Sequence, residues 1–329
     1  MNSLLAGIDL GATTIKIALA ESNGRLVAQE IIPTESHAGP DVVLSRICGA
    51  VDRMRESQNA SLDAIGMGVP GLVDVLTGVT KFLPNLETQW RDVEVGAKLS
   101  QCFGCSTRVL NDARAATLAE LKFGHGTKRP DTTLAFFSVG TGIGGGVVIA
   151  GRLLLGPMGT AGELGHQTIV ADGPRCGCGN HGCLETLASG PAIEAEGQRL
   201  MQMGLAPKLH ELVDGNAERV DCKMMVTAAN AGDESVAEAI DRAARFIGIA
   251  AANVVTILHP DMIVLGGGVA EIGDRLIQGV SNQIRQRVGM FPADKIQVVR
   301  SQLGEKAGLL GSVALAISVA AQDETKVPE

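Results

Sequence analysis

A strand, a tight turn of small residues and a returning strand occur twice in this chain, and that repeat constrains its fold more than any other feature. Leu4–Asp9 leads through Gly11-Ala12-Thr13-Thr14 into Ile15–Ala20, and Leu134–Val139 leads through Gly140–Gly146 into Val147–Ile149. Ile15, Ile17 and Leu19 alternate with smaller or polar neighbours, the period of a half-buried strand. Between and after the hairpins, strand-like and helix-like stretches alternate. A helix is predicted near Asp41–Glu56, with Val43, Ile47, Val51 and Met54 on one stripe. Strand Ala64–Val69 ends in Pro70-Gly71, and strand Arg108–Leu110 runs into Asn111-Asp112 and a helix over Ala113–Phe123. A long amphipathic helix over about Val236–Thr256 ends at His259-Pro260, and strand Met262–Leu265 meets Gly266-Gly267-Gly268 before another helix. The alternation specifies an α/β fold. The repeat predicts two related domains facing each other, which a length of 329 residues also favours. The expected boundaries are 1–111, 112–304, and a C-terminal helix, 305–329, that returns to the first domain.

Composition narrows the class. An apolar fraction of 45% with modest charge argues for a folded globular protein. The 36 acidic and 28 basic residues leave a net charge of -8, which disfavours nucleic acid as the main partner. The N-terminus lacks the basic lead and long apolar core of a secretory signal. Gly308–Gln322, the longest weakly polar stretch, falls short of the roughly 18–20 residues a bilayer requires and reads as a buried helix. A cytoplasmic location with no membrane partner is therefore expected.

The glycine turns suggest phosphate binding. Asp9 stands at a strand end beside Gly11, Ala12, Thr13 and Thr14, where backbone N–H groups and threonine hydroxyls could cradle phosphate and the carboxylate could organise a hydrated Mg²⁺. Gly140-Thr141-Gly142, with Gly144 and Gly145 beyond it, matches the GxGxxG spacing of dinucleotide-binding proteins. That fingerprint needs a helix after the turn, whereas here a strand follows, so a hairpin that contacts phosphate fits better. Gly266-Gly267-Gly268, between a strand and a helix, lets backbone approach a flat ligand or a phosphate.

Seven cysteines, three of them within Cys176–Cys183, point to a metal before disulfides. Cys176, Cys178 and Cys183 with one histidine make a Cys₃His set suited to tetrahedral zinc, and His166 and His181 both offer the fourth ligand. Cys102-Phe-Gly-Cys105 has redox-motif spacing without supporting groups and reads as incidental. Cys48 and Cys222 read as ordinary core or surface residues. Asp112, where a strand gives way to a helix, is either a cap or a ligand-facing acid. Glu163 and Glu185 flank the metal loop, which would hold them near one another to grip hydroxyl groups. The glycine turns lie on other elements and are expected not to depend on that loop.

Taken in order, Asp9-Leu-Gly-Ala-Thr-Thr14, Gly68-Val-Pro-Gly71, Leu110-Asn-Asp-Ala113, Gly140-Thr-Gly-Ile-Gly-Gly-Gly146, Gly162-Glu-Leu-Gly-His166, Cys176-Gly-Cys-Gly-Asn-His-Gly-Cys-Leu-Glu185 and Leu265-Gly-Gly-Gly268 resemble the ROK family of sugar kinases and repressors, and its bacterial glucokinases above all. Ala12 departs from the second glycine common there. The resemblance implies an actin-like (hexokinase-type) fold, with two domains closing over a cleft that takes ATP and a hexose. It makes Asp112 the general base toward the 6-hydroxyl of glucose. Asn111, Glu163, His166 and Glu185, with Gly71 and Asn85 as weaker additions, would bind the sugar. It also selects His166 over His181 as the fourth ligand of a structural zinc, and a homodimer is usual for the family. N-acetylmannosamine, mannose or fructose kinases of the family are alternative readings. A polyphosphate donor is disfavoured, since Lys128-Arg129 is the only basic stretch in view. A sugar-responsive repressor is also disfavoured, because Asp9 so near the start is expected to leave no room for a helix-turn-helix.

Overall fold

The computed structural model describes residues 2–321. The described residues divide into two compact units: residues 2–131, 150–162 and 302–321 form the first, and residues 132–149 and 163–301 the second.

The first unit is built on a five-stranded sheet ordered β3-β2-β1-β4-β7. Its strands are β1 (Asn2–Leu10), β2 (Thr14–Ala20), β3 (Leu26–Pro33), β4 (Ala60–Val69) and β7 (Ser106–Asn111), with a small β5 (Leu72–Asp74) and β6 (Val79–Phe82) hairpin beside them. β1, β2 and β3 run antiparallel, while β4 pairs parallel with both β1 and β7. The helices are α1 (Pro40–Ser57), α2 (Val95–Phe103) and α3 (Asp112–Phe123); later segments add the two-residue β10 (Arg152–Leu153) and the C-terminal α10 (Ala307–Ala320), labels following chain order. Ile8, Ile15, Ile17, Ile47, Val51, Met67 and Trp90 lie in its core.

α10 lies so close to the sheet that glycine is required. A Cβ on Gly66 would sit 2.1 Å from the Ser312 carbonyl oxygen, and one on Gly311 would sit 2.0 Å from that of Ala115 in α3. The same packing moves the domain boundary. Residues 112–131 belong with the first unit rather than beginning the second as expected, because α3 is sandwiched against α10. Residues 150–162 join it as well, held by Arg114, which donates to the Thr160 and Ala161 carbonyls. Residues 322–329 of the expected C-terminal segment, including the predicted end of its helix at Gln322, lie outside the described residues.

The second unit repeats the opening topology. β8 (Leu134–Val139) and β9 (Ile143–Ile149) form the antiparallel hairpin, and β11 (Met262–Gly266) and β12 (Gln297–Arg300) continue parallel from β8. Its helices are α4 (Leu184–Ala188), α5 (Gly190–Gln202), α6 (Pro207–Leu212), α7 (Cys222–Asn230), α8 (Glu234–Leu258) and α9 (Asp274–Arg287). α8 buries Val236, Ile240, Ala243, Ile247, Ala251 and Val255 at helical spacing and ends at His259, which takes a left-handed conformation before Pro260. Among the described residues no helix is long and apolar enough to cross a membrane.

Candidate active site and metal cluster

In the first unit, register places the candidate groups at one end of the sheet. Asp9 pairs with Gly68, and Val69 pairs with Asn111, so the carboxyl ends of β1, β4 and β7 stand side by side. Ligand-facing groups gather at such an end in open sheets. Asp112 follows as the first residue of α3. Its Oδ1 accepts from the Ala113 N–H at 2.8 Å. Asn111 is the helix cap: its Oδ1 accepts from the Ala113 and Arg114 N–H groups and from Arg114 Nη1 at 2.9 Å. Its Nδ2 donates to the Gly71 carbonyl at 3.1 Å. A primary amide has two N–H groups, so one remains for a ligand. Gly71 has φ +129, and a Cβ there would lie 2.4 Å from the Phe82 carbonyl oxygen. Asn85 is exposed on a turn anchored by the buried Leu83, Leu86 and Trp90.

Sequence reading missed Arg114. It is 1% exposed, and its guanidinium fixes both Asn111 and the segment Thr160–Ala161. The available signal was an arginine set among Ala113, Ala115 and Ala116, where no solvated face is on offer.

The β1–β2 turn is held from behind. Gly11 N–H donates to the Thr14 carbonyl at 2.9 Å, and Thr34 donates through Oγ1 to the Gly11 carbonyl and through its N–H to that of Thr13. Ala12, Thr13 and Thr14 are exposed. Asp9 is mostly buried against the first turn of α10, where a Cβ on Gly308 would come 2.6 Å from its Oδ2. Burial raises its carboxyl above the ordinary range, and Lys16, its cross-strand partner, opposes that shift.

In the second unit, Gly266 pairs with Ser138, which brings the Gly140-Thr141-Gly142 turn beside Gly266–Gly268. Gly267 has φ +81, and a Cβ on it would sit 2.3 Å from the Val139 carbonyl oxygen, so only glycine lets these two strand ends approach. Thr141 is exposed at the tip, and Gly144 follows on β9. Gly268 is followed by a short 3₁₀ turn (Gly268–Ile272) before α9, rather than directly by the predicted helix.

The metal candidates converge. One ligand atom each from His166, Cys176, Cys178 and Cys183 lies within 4.8 Å of all the others. Cys178 and Cys183 sulfurs are 3.7 Å apart, and Cys176 sulfur is 3.6 Å from His166 Nδ1. A tetrahedron with zinc–sulfur bonds near 2.3 Å has edges of about 3.8 Å, so the donor set fits zinc. His181 instead pairs with Arg175 through backbone, outside that set. Burial pushes the Cys183 thiol up to about 12 and raises Cys176, while the Asn180 backbone lowers Cys178.

Glu163, exposed, precedes the 3₁₀ turn Leu164–His166; Glu185, half-buried, lies in the first turn of α4. Glu185 Oε2 accepts from the Ile143 N–H at 2.9 Å, and Gly190 N–H donates to the Gly140 carbonyl at 2.8 Å. The glycine turn is thus tied to the segment that follows the metal loop. The expectation that the second-unit turns are independent of that loop is corrected for Gly140–Gly146.

Two units with the same strand–hairpin–parallel-strand order, each ending in a glycine turn, define an actin-like ATPase fold of the hexokinase type. The ROK family profile matches residues 5–319. A glucokinase of Thermotoga maritima is 32% identical over 94% of this chain and 96% of its own length. The crystal structure of a ROK glucokinase from Streptomyces griseus, in complex with glucose and AMPPNP, superposes with a TM-score of 0.79 at 31% identity, over 95% of this chain and 99% of that one. A xylose repressor of Caldicellulosiruptor bescii is 30% identical, over 95% of this chain and 78% of the repressor. The chain belongs to the ROK family.

Proposed function

We propose that this chain is an ATP-dependent hexose kinase that transfers the γ-phosphoryl group of ATP to the 6-hydroxyl of glucose, with Asp112 as general base. The observation that carries the reading is the place of Asp112: first residue of α3, directly beyond the carboxyl end of β7, with Asp9 at the neighbouring strand ends. The glucokinase relative and the glucose complex of the Streptomyces griseus enzyme support it.

Phosphoryl transfer asks for alignment and charge neutralisation rather than covalent help. Asp112 accepts the 6-hydroxyl proton as the sugar oxygen attacks the γ-phosphorus and ADP leaves. Asn111 fixes the start of α3, and so the aim of that carboxylate, through its cap and its bond to Gly71. Its remaining amide N–H, with Asn85, Glu163, His166 and Glu185, contacts sugar hydroxyls. Exposed Thr13 and Thr14, and the backbone at Gly11, Ala12, Gly140–Gly142, Gly144 and Gly266–Gly268, hold the nucleotide. A Mg²⁺, when bound with ATP, neutralises phosphate charge, and Asp9 would hold its hydration shell. His166, Cys176, Cys178 and Cys183 would hold a structural zinc, with no position left open for substrate.

A coupled ADP-release assay over glucose, mannose, fructose and N-acetylmannosamine, with ATP or polyphosphate as donor, tests the reading. Glucose with ATP is the expected best pair. A different best hexose would change the substrate and leave the chemistry. Sugar binding without ADP release would mark a sensor of the repressor kind. The homodimer usual for the family is read by light scattering.

A further inference from the structure

Two helical stripes of the first unit face each other across an open groove of about 280 Å³. Asp41, Leu44 and Cys48 line it from α1 at spacings that place them on one face, and Lys98, Gln101 and Cys102 line it from α2. Lys98 pairs with Asp41 on one stretch of the groove. On another, Cys48 of α1 and Cys102 of α2 line the groove together. Cys102 is exposed and Cys48 half-buried. Burial first, then Cys102 beside it, pushes the Cys48 thiol up to about 12.

In this arrangement Cys102 shares a groove with Cys48 and not with Cys105, its neighbour in the Cys102-Phe-Gly-Cys105 spacing. Gly104 ends α2 with φ +66, and Cys105 beyond it packs against the unit's hydrophobic core. The helix end therefore separates the two thiols of the motif. The partner of Cys102 stands on the facing helix, where no local spacing announces it.

We propose that Cys102 and Cys48 form a thiol–disulfide modification site that takes low-molecular-weight disulfides, Cys102 being the entry thiol and Cys48 the resolving one. Cys102, exposed to reagent, gives up its proton and attacks one sulfur of RSSR. The reagent's S–S bond breaks, RSH leaves, and Cys102–S–S–R remains. Cys48 then loses its proton to solvent and attacks the Cys102 sulfur, which breaks the mixed disulfide and releases the second RSH. RSSR has gained two electrons and two protons, and the two cysteines have lost them. The product ties α1 to α2, the helix that runs into β7 and so to Asn111 and Asp112. The inference stands apart from the sugar-kinase reading and holds whatever the substrate is.

The test uses the whole protein under native conditions with oxidised glutathione as the probe. Remaining thiols are then alkylated and the protein is mapped by peptide mass spectrometry. The wild type should yield a Cys48–Cys102 cross-linked peptide that dithiothreitol removes. Cys48→Ser should stop at a glutathione adduct on Cys102, and Cys102→Ser should leave Cys48 reduced, with thermal melting used to show that both variants fold. The wild-type map decides even if a variant does not fold. A Cys102–Cys105 link, a wild-type reaction that ends at the mixed disulfide, or modification of Cys48 in folded Cys102→Ser would each overturn the proposal.

Discussion

Replacing Asn111 by alanine removes four interactions at once and separates the structural from the chemical work of adjacent residues. Its Oδ1 takes two backbone N–H groups of α3 and Arg114 Nη1, and its Nδ2 serves the Gly71 carbonyl. Loss of a side-chain cap costs about 1 kcal/mol. Arg114 is 1% exposed and keeps the Thr160 and Ala161 carbonyls, but one of its N–H groups would lose its acceptor. Loss of a hydrogen bond made by a charged group costs about 1.5–3 kcal/mol. Asn111→Ala should therefore lower stability by about 2–4 kcal/mol, against the roughly 5–15 kcal/mol of ordinary domains. Urea denaturation followed by fluorescence of Trp90 should show a lower midpoint with an unchanged slope. Asn111→Asp keeps the acceptor for the cap and for Arg114 and should cost clearly less. Asn111→Ala within about 0.5 kcal/mol of the wild type, the range of a neutral surface change, would refute the cap as the device that sets the start of α3.

Two further outcomes follow from the second unit. Glu196 sits between Arg199 and Arg242, whose hydrogen bonds hold its carboxyl near about 2. Because its pKa is depressed on folding, the stabilisation is present above about 4.5 and is lost as pH falls toward 2. Both arginines are near half exposed, so screening leaves about 1–2 kcal/mol. Glu196→Gln should lose that amount at neutral pH in denaturant melts, with the difference closing in acid; a constant difference would contradict it. Cys178→Ser should reduce bound zinc by metal analysis and raise the KM for sugar. Through the Glu185 bond to Ile143 it should also weaken nucleotide binding in calorimetric titration. Zinc-free protein with wild-type affinity for both ligands would contradict the metal's role.

The sequence displayed what depends on local pattern. Both hairpins, the α1 stripe, the α8 amphipathic run and its stop at His259-Pro260 stand where periodicity and turn residues put them, within a few residues. The metal set was legible because Cys176, Cys178 and Cys183 are near neighbours, although the choice between His166 and His181 needed the family resemblance. What spacing cannot show is contact across sequence distance. The boundary at Asn111 failed to foresee that α3 is locked under α10 by glycine contacts some two hundred residues away in the chain. Arg114 went unmarked because the Thr160 and Ala161 carbonyls that it serves lie far along the chain. Glu185 read as a sugar ligand alone, whereas it also carries the Ile143 N–H. Cys48 and Cys102 looked unrelated because their pairing is made by two helices meeting.

The most direct measurement is glucose-dependent ADP release from ATP by the wild type and by Asp112→Asn, with glucose binding to each measured by calorimetry. Asp112 lies partly exposed beside the caps that order α3, so the amide should leave the fold and the sugar affinity nearly unchanged. The wild type should turn over, and kcat of the variant should fall by about 10²–10⁴-fold, the range for removal of a general base. Near-wild-type turnover by Asp112→Asn, or a wild type that binds glucose yet releases no ADP in its presence, would contradict the assignment.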